Sequence, residues 1–178
     1  MIVMKEGSDL TDNELVQINT ALFREFKVLL PSKNQLNNKL FFLLKNDDVI
    51  FAMGALLEVK HVVFDGKEYT IYGFVNVVAK EKGKGYGRQV VQAMKESLTI
   101  HDKTGLGFCM LKNKRFYEKC GFNINTSSTQ RFVYRKGTKR ITNQDGQIIF
   151  YQDSSDGFMK KFLFNTKKEV LIPTQNLW

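Results

Sequence analysis

Three glycines alternate through Lys82-Gly83-Lys84-Gly85-Tyr86-Gly87-Arg88, just after an apolar run and just before a helix-like one. These residue types at this spacing suit an anion. Where a strand passes into a helix, the first helical amides have no intrahelical acceptor, and the helix dipole adds partial positive charge. Glycine has no Cβ to hold an oxygen-rich group away, and it adopts φ values that turn successive amides toward one point. Lys82, Lys84 and Arg88 surround that point with charge. Each charge-assisted hydrogen bond contributes roughly 1.5–3 kcal/mol, so a few supply only part of the ~8 kcal/mol of micromolar binding, and the rest of such a ligand is held elsewhere. A Walker loop ends in Gly-Lys-Ser/Thr, and a dinucleotide loop needs glycine where Arg88 stands, so neither spacing fits. A tight turn that is merely rich in glycine explains one or two of these residues, but not three alternating among lysines.

The elements that must present this loop follow from patterning. Ile2 to Lys5 reads as a short strand, and Thr11-Asp12-Asn13-Glu14 as a capping box that opens a helix with Leu15, Ile18, Leu22 and Phe26 on one apolar face. A strand at Leu40 to Leu44, an Asn46-Asp47-Asp48 turn, a strand at Val49 to Phe64, the Asp65-Gly66 turn and a strand at Tyr69 to Val78 form an antiparallel meander. After the loop, Val90, Val91, Met94 and Leu98 fall on one helix face and Gln89, Gln92, Lys95 and Glu96 on the other. Gly105 to Leu111 reads as a strand, Asn113 to Cys120 as a short helix stopped by Gly121, and Arg131 to Arg135 and Ile148 to Gln152 as the last strands. This order predicts a mixed α/β (α+β) sheet domain.

Composition bounds the function. With 178 residues, 43% of them hydrophobic, the chain is expected to be one soluble domain over residues 1–178, with a core of about 1–152 and a C-terminal extension at 153–178. No basic and apolar leader opens it, and its longest nearly apolar run, Val49 to Val59, is too short for a membrane span, so a cytoplasmic protein is expected, without a membrane partner. Cys109 and Cys120 have no ligand-like neighbours in sequence and read as reduced, partly buried thiols; no metal site is expected. The net charge of +9 is spread along the chain, which weakly favours an anionic partner and runs against a polycationic substrate.

The segment "VVAKEKGKGYGRQVV" resembles the acetyl-CoA signature of the GCN5-related N-acetyltransferase (GNAT) family, with Lys82, Gly83, Lys84, Gly85, Tyr86 and Gly87 in the motif. A second segment, "RFYEKCGF" from Arg115 to Phe122, resembles that family's late helix with its Gly-Phe ending. The resemblance runs from Ile2 to about Gln152. It implies a GNAT-like acyl-CoA N-acyltransferase fold, a central and mostly antiparallel sheet flanked by helices, and transfer of acetyl from acetyl-CoA to a primary amine of a small molecule or peptide by direct attack. It further implies that Val77, Val78 and Ala79 pair with the pantetheine arm as another strand would, that Lys82 to Arg88 hold the pyrophosphate, and that Tyr117 faces the leaving sulfur as the catalytic residue. A phenol of pKa ~10 protonating a thiolate whose thiol is near ~8.5 is uphill by about 2 kcal/mol, which favours hydrogen-bond stabilisation over early proton transfer. Apolar periodicity alone would also allow Tyr117 a packing role, and Phe116 and Phe122 are assigned to the core.

Two departures from the family pattern stand out. Its proton-accepting carboxylate would fall at Ile71 or Gly73, and neither accepts a proton; Glu58, His61, Glu68 and the C-terminal carboxylate of Trp178 are the conjectural substitutes. The Asn that often opens the late helix would fall at Met110, and no role passes to Asn113. Three other readings stay open. One is a non-catalytic acyl-CoA-sensing module with a basic partner surface. Another is an aminoglycoside-type N-acetyltransferase, resembled faintly by "RITNQDGQIIF" and Trp178. The third and weakest is nucleic-acid binding through Arg131, Arg135, Lys136, Lys139 and Arg140, interleaved with Phe132 and Tyr134. The tail from Phe158 could cover a cleft, add a strand or join a homodimer.

Overall fold

The computed structural model describes residues 1–136, 138–142 and 146–173, without the side chains of Asn34, Arg135 and Lys136. The backbone clusters into two compact units, Met1–Leu57 with Phe74–Glu96, and Glu58–Gly73 with the chain from Ser97 onward. Among the described residues, ten strands and four α-helices make the mixed α/β fold expected from the patterning.

The first unit begins with β1 (Ile2–Glu6) and α1 (Asp12–Phe26), whose N-terminus carries the expected capping box: the Glu14 amide donates to Thr11 Oγ1, and Glu14 Oε2 accepts from the Thr11 amide. β2 (Lys39–Asn46) runs antiparallel to β1 and to β3 (Val49–Phe64). β4 (Lys67–Ala79) leads through the glycine loop into α2 (Tyr86–Ile100). Leu10, Ile18 and Leu22 pack with Phe41, Leu43, Ile50, Met53, Ala55 and Val78 in one core cluster. Phe26, expected in that core, is 48% exposed, because left-handed Lys27 stops α1 one residue later and no further turn covers it. Gly54 admits α2 to the sheet: a Cβ there would meet Met94 Sδ at 2.7 Å.

The second unit contains the hairpin end of β3 and β4, turned by Asp65 and Gly66, both at positive φ (53° and 71°) as a tight two-residue hairpin turn requires. β5 (Gly105–Cys109) pairs in parallel with β4 at Tyr72 and Gly73. After α3 (Lys114–Lys119), β6 (Asn123–Asn125) lies antiparallel to β9 (Ile148–Gln152), which lies antiparallel to β5. β7 (Phe132–Lys136) pairs antiparallel with β8 (Lys139–Thr142).

The tail joins this unit. α4 (Phe158–Phe164) buries Phe158, Met159 and Phe162, and β10 (Val170–Ile172) pairs antiparallel with β3 and parallel with β7. Of the roles left open for it, the structure therefore shows the added strand. The short β6 and β8 carry too little alternation to be legible beforehand. The strand expected to reach Leu111 ends at Cys109, where a single 3-10 turn over Leu111–Asn113 takes up the chain.

Candidate functional site

In the first unit two of the three glycines adopt the left-handed conformation, while Gly87 lies in the first turn of α2 and does not. Gly83 and Gly85 have φ of +80° and +78°, and a Cβ built on either would touch nothing within 4 Å, so backbone conformation rather than space demands glycine. The first closing bond of α2 runs from the Gln89 amide to the Gly85 carbonyl at 3.1 Å. The amides of Tyr86, Gly87 and Arg88 precede it in the first turn, where no intrahelical acceptor exists. Lys82, Gly83, Lys84, Gly85 and Arg88 are exposed, whereas Tyr86 and Gly87 are half-buried. The Tyr86 ring lies 5.5 Å from that of Phe51 on β3, and this contact anchors the helix start.

α1 also fastens the loop. Lys82 Nζ lies 2.9 Å from Glu25 Oε1, and Arg24 Nη2 donates to the Lys80 carbonyl at 3.2 Å. Nothing in the spacing of Arg24 and Glu25 marked them for this, because their partners lie more than fifty residues away.

The strand before the loop is irregular. Asn76 has φ of +60°, the left-handed region that most side chains avoid, and Asn tolerates it better than most. Val75 and Val78 both pack against the core cluster of α1 and β2, although regular alternation would put residues three apart on opposite faces. The left-handed backbone at Asn76 breaks the alternation between them. One edge of the strand continues to bond β3, through the Lys80 amide and the Phe51 carbonyl at 2.8 Å. Val77 and Ala79 are half-buried, and Val78 is buried at 2% exposure, so its side chain serves the core and only its backbone is left for a ligand. Sequence reading missed Asn76; the signal was a lone Asn inside a β-branched run.

In the second unit Tyr117 is buried on α3, its ring stacked on Phe150 with centroids 3.6 Å apart and an interplanar angle of 11°. Phe116 and Phe122 meet it edge-on at 5.0 and 6.1 Å. Phe122 is core as expected, but Phe116 is only half-buried. Gly107 on β5 makes room for Phe150, since a Cβ there would fall 2.2 Å from the ring. Burial raises the Tyr117 phenol well above its ordinary pKa, and Cys109 and Cys120 push it the same way. Neither cysteine forms a disulfide, and burial pushes Cys109 up to about 12.

The conjectured proton acceptors lie on the hairpin end of β3 and β4. Glu58 accepts a hydrogen bond from Tyr72 Oη at 3.0 Å and pairs with Lys60 at 3.1 Å, while His61 Nδ1 lies 2.7 Å from Glu68 Oε1. Burial first, and then Glu58, push the Tyr72 phenol up to about 12. Trp178 and part of "RITNQDGQIIF" lie outside the described residues.

The basic cluster considered for nucleic acid is partly spent inside the fold. The Arg131 guanidinium donates to the carbonyls of Phe162, Asn165 and Lys168 at 3.0, 2.6 and 2.8 Å and lies 3.8 Å from the centroid of the Phe162 ring, while Arg140 pairs with Glu169. Phe132, expected between these charges as a stacking platform, is fully buried. Among the described residues no group of His, Cys, Asp and Glu could hold a metal ion, and no helix is long and apolar enough to cross a membrane.

This arrangement of strands and helices is the fold of the acyl-CoA N-acyltransferases. Escherichia coli YhbS, a GNAT family N-acetyltransferase solved in complex with CoA, matches with a TM-score of 0.61 at 14% identity, covering 98% of this chain and 89% of that one. E. coli ElaA matches at 0.58 and 17% identity, covering 86% and 99%. An acyl-CoA N-acyltransferase from Pseudomonas aeruginosa matches at 0.56 and 18%, covering 85% and 97%. Residues 37–124 match the family model described as an acetyltransferase (GNAT) domain, which bears out the resemblance read from the sequence. No curated protein matches it.

Proposed function

We propose that the protein is an acetyl-CoA-dependent N-acetyltransferase that moves an acetyl group to a primary amine of a small molecule or peptide by direct attack. The observation that carries this reading is the pair Gly83 and Gly85 at φ of +80° and +78°, immediately before the unpaired first-turn amides of α2. Such a turn suits a diphosphate. Lys82, Lys84 and Arg88 then add charge, and the backbone of Val77, Val78 and Ala79 takes the pantetheine arm as an added strand.

Tyr117 is assigned the leaving thiolate. Its raised pKa keeps it a hydrogen-bond donor at neutral pH and makes full proton transfer more unfavourable than for an ordinary phenol. Its part is therefore to stabilise the sulfur anion by a hydrogen bond as the amine attacks.

The amine's proton is the open step. Neither Ile71 nor Gly73 accepts it, Glu58 is engaged by Tyr72 and Lys60, and His61 and Glu68 engage each other. A lysine-like amine of pKa ~10.4 costs about 4.6 kcal/mol to deprotonate at pH 7, and an amine near ~8 about 1.4 kcal/mol. We therefore assign the enzyme an acceptor of lowered pKa, or loss of the proton through water. A normal rate on a simple lysine side chain, unchanged when Glu68 and His61 are replaced together, would sink the lowered-pKa version.

Calorimetric titration of acetyl-CoA and CoA into the wild type and a Gly85→Asp variant tests the central reading. Micromolar binding that the variant loses is the expected result, because the substitution forces a side chain into the left-handed region and sets a carboxylate against an anion. Absence of binding to the wild type overturns it. The missing strand carboxylate favours a second reading, a non-catalytic acyl-CoA sensor. Thioester consumption with an amine library separates the two: turnover with any member rules the sensor out.

A further inference from the structure

We propose that Glu25 is an affinity-setting residue of the anion loop, a carboxylate that occupies Lys82 and that an incoming diphosphate must displace. The inference rests on the acyl-CoA reading given above and deepens it by naming what regulates the same site. Glu25 Oε1 accepts from Lys82 Nζ at 2.9 Å across 57 residues of sequence, so the fold itself brings this acid to the loop. One residue earlier, Arg24 Nη2 donates to the Lys80 carbonyl at 3.2 Å. The last turn of α1 thus grips the entry of the loop twice, and all four residues belong to the first compact unit.

Helix physics does not place an acid here. The C-terminal turn of a helix carries partial negative charge from its unsatisfied carbonyls, which favours a cation there and disfavours a carboxylate. α1 ends at Phe26 with left-handed Lys27 as its cap, so Glu25 stands in that last turn. Its pairing with Lys82 offsets the misplacement, and the loop loses a free cation by it. Among the described residues, Lys84 and Arg88 pair with no carboxylate, whereas Lys82 is already neutralised. The Lys82 side chain is 69% exposed and that of Glu25 34%, so the ammonium is open to a ligand while the acid stays beside it. A phosphate oxygen that takes Lys82 comes close to Glu25, and the two anions repel. Whether the carboxylate yields the ammonium or shares it, binding is weaker than three free cations would make it. Water screens groups this exposed, which keeps the effect to a few-fold.

Calorimetric titration of CoA into the wild type, Glu25→Gln, Lys82→Ala and the double variant tests this. Glu25→Gln keeps the size of the side chain and an acceptor for Lys82 but removes the competing charge. The expected result is that Glu25→Gln binds CoA about threefold more tightly than the wild type, and that this gain is largely lost when Lys82 is already Ala. Weaker or unchanged binding by Glu25→Gln overturns the inference, because Glu25 then holds Lys82 in place for the ligand or has no part in binding. An equal gain in both backgrounds overturns it too, since the carboxylate then acts through general charge and not through Lys82. The wild-type titration reports separately on the reading beneath: a wild type that binds CoA keeps that reading whichever way the variants fall, and one that does not removes it and this inference together.

Discussion

At the scale of single residues, chemistry and packing compete for the same side chain in Tyr117. Stacked on Phe150 and 8% exposed, it is a core residue by burial; by position in "RFYEKCGF" it is the proposed donor to the thiolate. Replacement by Phe separates the roles, because it keeps the stack and removes only the hydroxyl. The expected outcome in steady-state kinetics is a kcat lowered about a hundredfold with KM for acetyl-CoA little changed, and a melting temperature near that of the wild type. An unaltered kcat would make Tyr117 a packing residue. Cys109 gives a simpler expectation: a thiol pushed up to about 12 holds very little thiolate at pH 8, so it reacts slowly with alkylating reagents until the protein is denatured. The glycine loop was legible in the sequence because local spacing carries its signal, whereas Tyr117 was singled out only by the resemblance of "RFYEKCGF" to the family's late helix. Asn76, Arg24 and Glu25 were not, since what distinguishes them is a backbone angle and contacts over fifty residues.

At the scale of elements, the ends of helices hold the architecture. α1 is fastened at its start by Glu14, a buried carboxylate that caps its own helix and pairs with Lys5 on β1 and Lys45 on β2 at 2.8 and 2.9 Å. Burial by itself would raise its pKa, but the Lys5 hydrogen bond, the Thr11 amide and the Lys45 hydrogen bond together bring it down to about 2. A carboxylate depressed in the folded state stabilises the fold fully above its unfolded value of 4.5, and that contribution, about 3 kcal/mol, is lost as pH falls from there through about 2. In acid titrations followed by circular dichroism, Glu14→Gln should therefore be less stable than wild type at pH 7, with the gap closing between pH 4.5 and 2. A gap independent of pH would mean that the charge is not what matters. α4 is fastened at its other end, where Arg131 satisfies the carbonyls of Phe162, Asn165 and Lys168 and covers the Phe162 ring. Charge-assisted bonds to several carbonyls predict a loss of about 3 kcal/mol for Arg131→Ala in urea unfolding. Arg131→Lys should recover only a part, because an ammonium cannot span three acceptors as the planar fork does.

At the scale of the whole molecule, β3 and β4 each contribute residues to both compact units. We propose from this continuity that residues 1–178 form one folding domain, with the tail from 153 as its extension. The expected observation is a single unfolding transition, coincident by far-ultraviolet circular dichroism and by aromatic absorbance; two separated transitions would divide it. The charge of +9 makes a further expectation, that acetyl-CoA affinity falls as salt is raised, and falls less steeply once Lys82 and Lys84 are replaced by Ala.

The sequence by itself determined the features that depend on neighbours along the chain: the capping box of α1, the Asp65-Gly66 hairpin, the amphipathic face of α2 and the glycine loop before it. Each is written in residues a few positions apart, because capping, turn conformation and helical periodicity are short-range physics. Only the tertiary structure decided the rest. It set the left-handed backbone at Asn76, the stacking of Tyr117 on Phe150 above Gly107, the internal use of Arg131, and the docking of the tail as α4 and β10. Those features arise from which distant segments pack together, and a linear pattern of residue types does not carry that information.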